Sequence, residues 1–268
     1  MPSGKVPEPP HPLLVKHFLT ILGHEIRMLL VNASTYVAAV LFLALMGLVF
    51  TTLLESYSTT AQEASPAAVF FQLFWLPVFF MVPLLTMRSF AEERRLGTLE
   101  TLFAAPVSTT EVVLGKFGAA YLLYLLLWGL TGGFFWILRH YANDPRLIDS
   151  GPLIGGFTFI AVSGLLFVAL GVWMSSLTRN QGVAALLAFV LIVLVVWGPA
   201  LALDNFPVLR LETMRPLREA LEYAKVFRHL DDFTRGVADV RAVLFHVSGA
   251  TLALVFCVFS LEAKRLHT

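Results

Sequence analysis

Six stretches of this chain are each about 20 residues long and almost free of charge. They lie at 35–54, 69–87, 113–138, 153–177, 183–203 and 242–261. A helix rises 1.5 Å per residue, so about 20 apolar residues cross the roughly 30 Å hydrocarbon core of a bilayer. Only helices and closed barrels satisfy every backbone hydrogen bond there. Runs of this length predict an all-α membrane protein with six transmembrane helices. The composition agrees: 57% of the 268 residues are hydrophobic and 14% are charged, against about 25% charged in a soluble domain. This disfavours a cytosolic enzyme, a secreted disulfide scaffold and a disordered chain. The interiors of the six stretches hold no Asp, Glu, Lys or Arg except Lys116, near one end. Ion-driven transporters keep intramembrane ionisable relays, so a secondary transporter is disfavoured.

The remaining text organises around these spans. Residues 1–12 are rich in Pro and polar groups and read as a disordered leader, with 13–268 forming one transmembrane domain. From 13 to 31, Leu13, Leu14, Phe18, Ile21, Leu22, Ile26, Leu29 and Leu30 recur at helical spacing, with Lys16, His17, His24, Glu25 and Arg27 between them. That pattern predicts an amphipathic helix lying in the membrane interface. Residues 204–241 predict one or two further amphipathic helices on or dipping into the outer leaflet. There Met214, Leu217, Leu221, Ala224, Phe227 and Leu230 share a face, and the segment ends near Gly236. A small extracellular cap is the alternative for this segment. Lys and Arg gather in the leader, in the loops after the second and fourth spans and in the tail. The positive-inside rule therefore expects both termini in the cytoplasm and the chain in the inner membrane. Seven basic residues in 204–241 run against this, beside seven acidic ones.

No catalytic motif is complete in this sequence. His24-Glu25-Ile26-Arg27-Met28 puts Met28 where a second zinc-binding His would stand. Gly115-Lys116 lacks the leading Gly and the following Ser or Thr of a phosphate loop, having Thr110 and Phe117 instead. Cys257 is alone, so it forms no internal disulfide or cysteine metal cluster. Its simplest reading is a small buried hydrophobe. A net charge of +1 gives no reason to expect nucleic acid. No catalytic residue, bound cofactor or metal ligand is expected of this chain. Prolines Pro77 and Pro83 lie in the second span, where bending or static kinks are expected. Gly151 and Gly155, with Gly129, Gly132, Gly133, Gly164 and Gly171, are expected to allow close helix approach.

The informative interval is 88–117, RSFAEERRLGTLETLFAAPVSTTEVVLGKF. Ser89 and Glu92 have the spacing of a capping box, and Ser108 and Glu111 have it again at the next helix start. Gly97 interrupts the run, a short helix through Leu99 and Leu102 follows, and Pro106 ends it. Leu99, Leu102 and Phe103, flanked by carboxylates, predict a docking surface.

The stretch 90–108, with Glu111 and Leu114-Gly115-Lys116 after it, resembles the coupling-helix region of ABC-2 type permeases, the membrane subunits of ATP-binding cassette exporters. The resemblance extends over about 13–265: an N-terminal interfacial helix, six spans, the signature loop between the second and third, and an outer amphipathic segment. Phe233-Thr234-Arg235-Gly236-Val237-Ala238-Asp239-Val240-Arg241 is similar to the gliding-motility subgroup and its relatives, including copper-enzyme maturation permeases. The resemblance implies an exporter permease whose ATP and Mg sit on a separate ATPase, present in two copies. Docking would run through Glu92, Glu93, Gly97, Thr98, Leu99, Glu100, Leu102 and Pro106. It also implies a second permease subunit, membrane lipids around the helices and a periplasmic accessory protein as a further partner. The alternative is a mechanotransmission or scaffold subunit that works on periplasmic partners and transports nothing.

Overall fold

A computed structural model of the chain describes residues 11–59, 65–99, 107–141, 149–237 and 239–265. Among the described residues the chain is helical, with no strand. The helices are α1 (His11–Val31), α2 (Ala33–Thr59), α3 (Pro66–Gln72), α4 (Trp75–Thr86), α5 (Ala91–Leu96), α6 (Thr109–Tyr141), α7 (Ser150–Leu177), α8 (Gln181–Asn205), α9 (Arg215–Tyr223), α10 (Val226–Thr234) and α11 (Val240–Arg265). Five of them, α2, α6, α7, α8 and α11, are each long and apolar enough to cross a bilayer, and the bent pair of α3 and the stretch after it makes a sixth. Each single-helix span overruns its apolar run, because polar residues at the ends continue the backbone ladder beyond the hydrocarbon depth.

The second span is not one straight helix. Its path bends by 49° between Pro66–Gln72 and Trp75–Leu96. The bend lies at Leu73 and Phe74, one turn before Pro77. A proline at position i has no N–H for the carbonyl at i−4 and clashes with it. For Pro77 that carbonyl is Leu73's, so the proline acts where the helix breaks. The Leu73 carbonyl accepts instead from the Leu76 N–H, at 3.2 Å. Pro83 lies within α4, which continues over it.

Helix α7 is the centre of the bundle. In its most apolar window 56% is buried, against 17–28% for the other four single-helix spans. Its most extensive contact is with α11. Two of its glycines show how closely its neighbours come. A Cβ at Gly155 would collide with the Phe233 carbonyl, and one at Gly171 with the Thr86 side chain. Around it Phe70, Phe71, Phe74, Phe159, Phe167, Tyr124 and Trp128 fill one continuous core, all of them essentially inaccessible.

The segment after α8 differs from the single amphipathic face expected for it. Two 3₁₀ turns, Pro207–Arg210 and Glu212–Met214, lead into α9. The helix then stops at Ala224 and restarts after Lys225, which resets the phase of the apolar stripe. As a result α9 buries none of its residues, whereas α10 buries Val226, His229, Leu230, Phe233 and Thr234. Met214 and Leu217 stay exposed, so they share no buried face with Leu230. Gly236 ends the segment with φ +81°, a left-handed position that favours glycine.

Candidate functional site

The polar interval between α4 and α6 is anchored more firmly than its sequence shows. Helix α5 opens with two carboxylates, Glu92 and Glu93, and closes with two arginines, Arg94 and Arg95. Both pairs suit the helix dipole. Gly97 caps its C-terminus at φ +71°, with its N–H donating to the Glu93 carbonyl.

The N-terminal cap is not the local one expected. Ser89 caps nothing: its N–H donates to the Thr86 carbonyl, and α5 has no side-chain cap from its own N-cap residue, Phe90. Ser175, near the end of α7, supplies the acceptor. Its Oγ receives the Phe90 and Ala91 N–H groups at 3.0 and 3.2 Å and donates to the Met87 carbonyl at 3.0 Å. The second expected box is present. Ser108 N–H and Oγ both donate to Glu111 Oε2, at 2.7 and 2.8 Å, and the Glu111 N–H donates to Ser108 Oγ at 3.2 Å.

The strongest feature joins three helices. Lys116, in the second turn of α6, has its side chain 3% exposed, and its Nζ lies 2.7 Å from Glu25 Oε1 on α1 and 2.7 Å from Glu93 Oε1 on α5. The Phe90 ring lies 5.5 Å from the same ammonium. A buried ammonium is tolerated only when paired and hydrogen-bonded, and here two carboxylates share it. Burial holds the Glu93 carboxyl above its ordinary value, with Lys116 pulling it down and Glu25 pushing it further up. Beside this cluster, Arg88 Nη1 donates to Asn32 Oδ1 at 2.7 Å, at the junction of α1 and α2. Arg88 also lies 3.9 Å from Glu92, which in turn stands 4.0 Å from Arg95. Polar contacts thus tie α5 to α1, α6 and α7 and, through Arg88, to the junction of α1 and α2.

The sequence-predicted residues divide accordingly. Glu92 is half-buried between its two arginines, and Thr98 is exposed. Leu99 is partly buried against the core rather than fully presented outward. Glu93 faces inward, to Lys116. Glu100, Leu102 and Pro106 lie outside the described residues. Sequence reasoning missed Lys116, Glu25, Arg88, Asn32 and Ser175. One signal for Lys116 was available: a lone ionisable residue in a predicted span marks a functional position and asks for a partner.

The comparison with protein families decides the class. The chain matches the ABC-2 family transporter protein family over residues 19–261. This chain belongs to that family. The match takes in α5, the Lys116 cluster and every predicted span. ABC-2 chains are multi-pass membrane permease subunits of ABC transporters, which generally work with a separate ABC ATPase and are not themselves catalytic. No curated protein sequence matches this ABC-2 chain at a significant level.

Proposed function

We propose that this permease couples ATP hydrolysis on a separate ATPase chain to export of a substrate, with the interval around α5 as its docking element. The observation that carries the reading is the Lys116 cluster. It makes a short polar helix between two spans a rigid attachment to α1 and α6. A mere connector would need no such fastening.

In this reading Glu92, Gly97, Thr98, Leu99, Glu100, Leu102 and Pro106 form the surface that enters a cleft of the ATPase. Leucines supply burial, and Glu92 and Glu100 meet basic residues. Glu93 belongs to the element but acts from within, through Lys116. ATP and Mg are held by the ATPase, in two copies on a pair of permeases. Closure of the ATPase pair displaces α5, and the ion cluster carries that displacement to α1 and α6. Both termini and α5 then face the cytoplasm, and α9 and α10 lie at the opposite surface of the inner membrane. An apolar, aromatic interior suits an amphipathic or lipid-like cargo.

One observation favours a second reading, mechanotransmission to an outer partner. Helix α9 is strongly two-faced, yet buries none of its nine residues. Most of that helix, Leu217 among it, stays exposed beside the spans.

The docking test is a pull-down of the co-expressed ATPase by a permease carrying Glu100→Lys and Leu102→Asp. Charge reversal at a desolvated contact costs several kcal/mol, and loss of a buried leucine about 1.5–3 kcal/mol. The double variant is expected to give a normal size-exclusion profile and lose most of the ATPase. Full ATPase recovery would move the docking element elsewhere.

A further inference from the structure

Four buried side-chain polar atoms without a hydrogen-bond partner fall together at the end of the bundle opposite Lys116. They are the Tyr223 hydroxyl at the end of α9, both ring nitrogens of His229 on α10, and Nε2 of His246 on α11. His229 is 3% exposed and His246 is fully buried. Buried polar atoms are nearly always paired, and a cluster that is not asks for a bound water or ion. The His246 ring is oriented from behind: its Nδ1 lies 2.8 Å from the Ala242 carbonyl. A carbonyl only accepts, so Nδ1 carries the proton and Nε2 presents a bare lone pair. This is the arrangement in which metal-ligating histidines are usually held. Both His229 ring nitrogens lack a hydrogen-bond partner, and a neutral imidazole carries a lone pair on whichever nitrogen lacks the proton.

The chemistry narrows what such a site takes. Its walls are aromatic: Phe245 lies 5.5 Å from His229 and 5.2 Å from His246, and Phe159 lies 6.0 Å from His246. An anion would meet the His246 lone pair instead of a donor. A hard cation such as Ca²⁺ or Mg²⁺ asks for a set of oxygen ligands. Neutral imidazole suits a borderline transition metal. The spacing agrees. A metal–nitrogen bond of about 2.0–2.1 Å places each ring centroid about 3.2 Å from the ion, and a tetrahedral angle then separates the two centroids by about 5.2 Å. The His229 and His246 centroids are 5.4 Å apart, and Tyr223 stands 5.3 Å from His229 on its other contact.

We propose that His229 and His246, with the Tyr223 hydroxyl beside them, form a binding site for one transition-metal ion of the Zn²⁺ class. Among the described residues no group of three His, Cys, Asp or Glu surrounds such a position. The chain thus supplies at most three ligand atoms there, fewer than the closed four-ligand set of a structural centre. The ion would pin α9 and α10 to α11, and so set the position of the segment that caps the bundle.

The test is Zn²⁺ titration of the purified full-length chain by calorimetry, on a background in which His11, His17, His24, His140 and His267 are all Gln. That background is expected to bind one equivalent, and His229→Phe or His246→Phe to weaken binding at least about 100-fold. Co²⁺ added to the same background is expected to give the visible absorption of a nitrogen-ligated, low-coordinate ion. This second reading needs neither Phe variant to fold. A background chain that binds no Zn²⁺ and leaves Co²⁺ as the hexa-aqua ion overturns the proposal, as does undiminished binding in both Phe variants.

Discussion

Replacing Lys116 by methionine tests the ion cluster with little change in packing, since methionine keeps an unbranched stem in the same space. The lysine side chain is 3% exposed, but Glu25 and Glu93 are 17% and 25% exposed. Breaking a fully buried pair by deleting one partner costs about 3–5 kcal/mol. The carboxylates here are partly wet, which lowers the expected cost to about 2–4 kcal/mol. For a chain of this size about 1 kcal/mol corresponds to about 2–4 °C, so Lys116→Met should melt about 4–16 °C below wild type in detergent. Glu25→Gln should behave differently. It leaves the 2.7 Å Lys116–Glu93 contact as a one-to-one pair, removes repulsion between two carboxylates, and keeps an amide oxygen to accept from Nζ. Its melting temperature should stay within about 3 °C of wild type, a change of less than about 1 kcal/mol. Both values should be nearly independent of added salt, because buried pairs are screened weakly. Thermal unfolding followed by size exclusion at pH 7.5 measures both. The reasoning fails if Lys116→Met melts with wild type, or if Glu25→Gln is the more damaging change.

Three further outcomes are expected. Ser175→Ala removes the acceptor for the Phe90 and Ala91 N–H groups and should destabilise α5 by about 1–2 kcal/mol; hydrogen exchange at 90–95 should accelerate by at least about 5-fold while α7 stays protected. The Glu93 carboxyl is raised from 4.5, chiefly by burial, so the folded state holds its proton to higher pH than the unfolded state does. Its contribution to stability is therefore fully present below about pH 4.5 and is lost as pH rises through the folded value. Glu93→Gln should flatten that part of the melting profile, and an unchanged slope would show that the group does not govern it. On a Cys257→Ser background, cysteine at Ser65 should react with an impermeant thiol reagent on intact cells and cysteine at Thr98 should not; the reverse pattern would invert the topology and remove α5 from the ATPase side.

What the sequence disclosed depended on how far apart the interacting groups lie. The spans are readable because bilayer thickness imposes a length on each apolar run, and the Ser108–Glu111 box because its partners are three residues apart. The position of the break in the second span also follows from a local rule, the missing Pro77 N–H acting at Leu73. Ser89 misled because the same local spacing was outcompeted by Ser175, 85 residues from Phe90. Glu25 and Lys116 each looked like a fragment of a failed motif, and only the fold brings them together across 91 residues. The sequence left one or two helices open over 204–241, and the place of the split at Lys225 was not legible because a helix restart shifts phase without any proline or glycine to announce it. His229 and His246 were not singled out, since nothing in a linear text shows that two histidines 17 residues apart face one another.

The pairing of α7 with α11 also sets the order in which the molecule can mature. Leu166, Ala169 and Leu170 of α7 pack against Ala250 and Ala253 of α11, and Ser176 Oγ meets Ser260 Oγ at 2.7 Å. Helix α7 leaves the ribosome well before α11, so the most buried helix spends part of its biogenesis with one flank facing lipid and a serine hydroxyl unmatched by its partner. Completion of the core waits for the last span to be synthesised. A chain arrested before residue 240 leaves that flank of α7 without its packing partner.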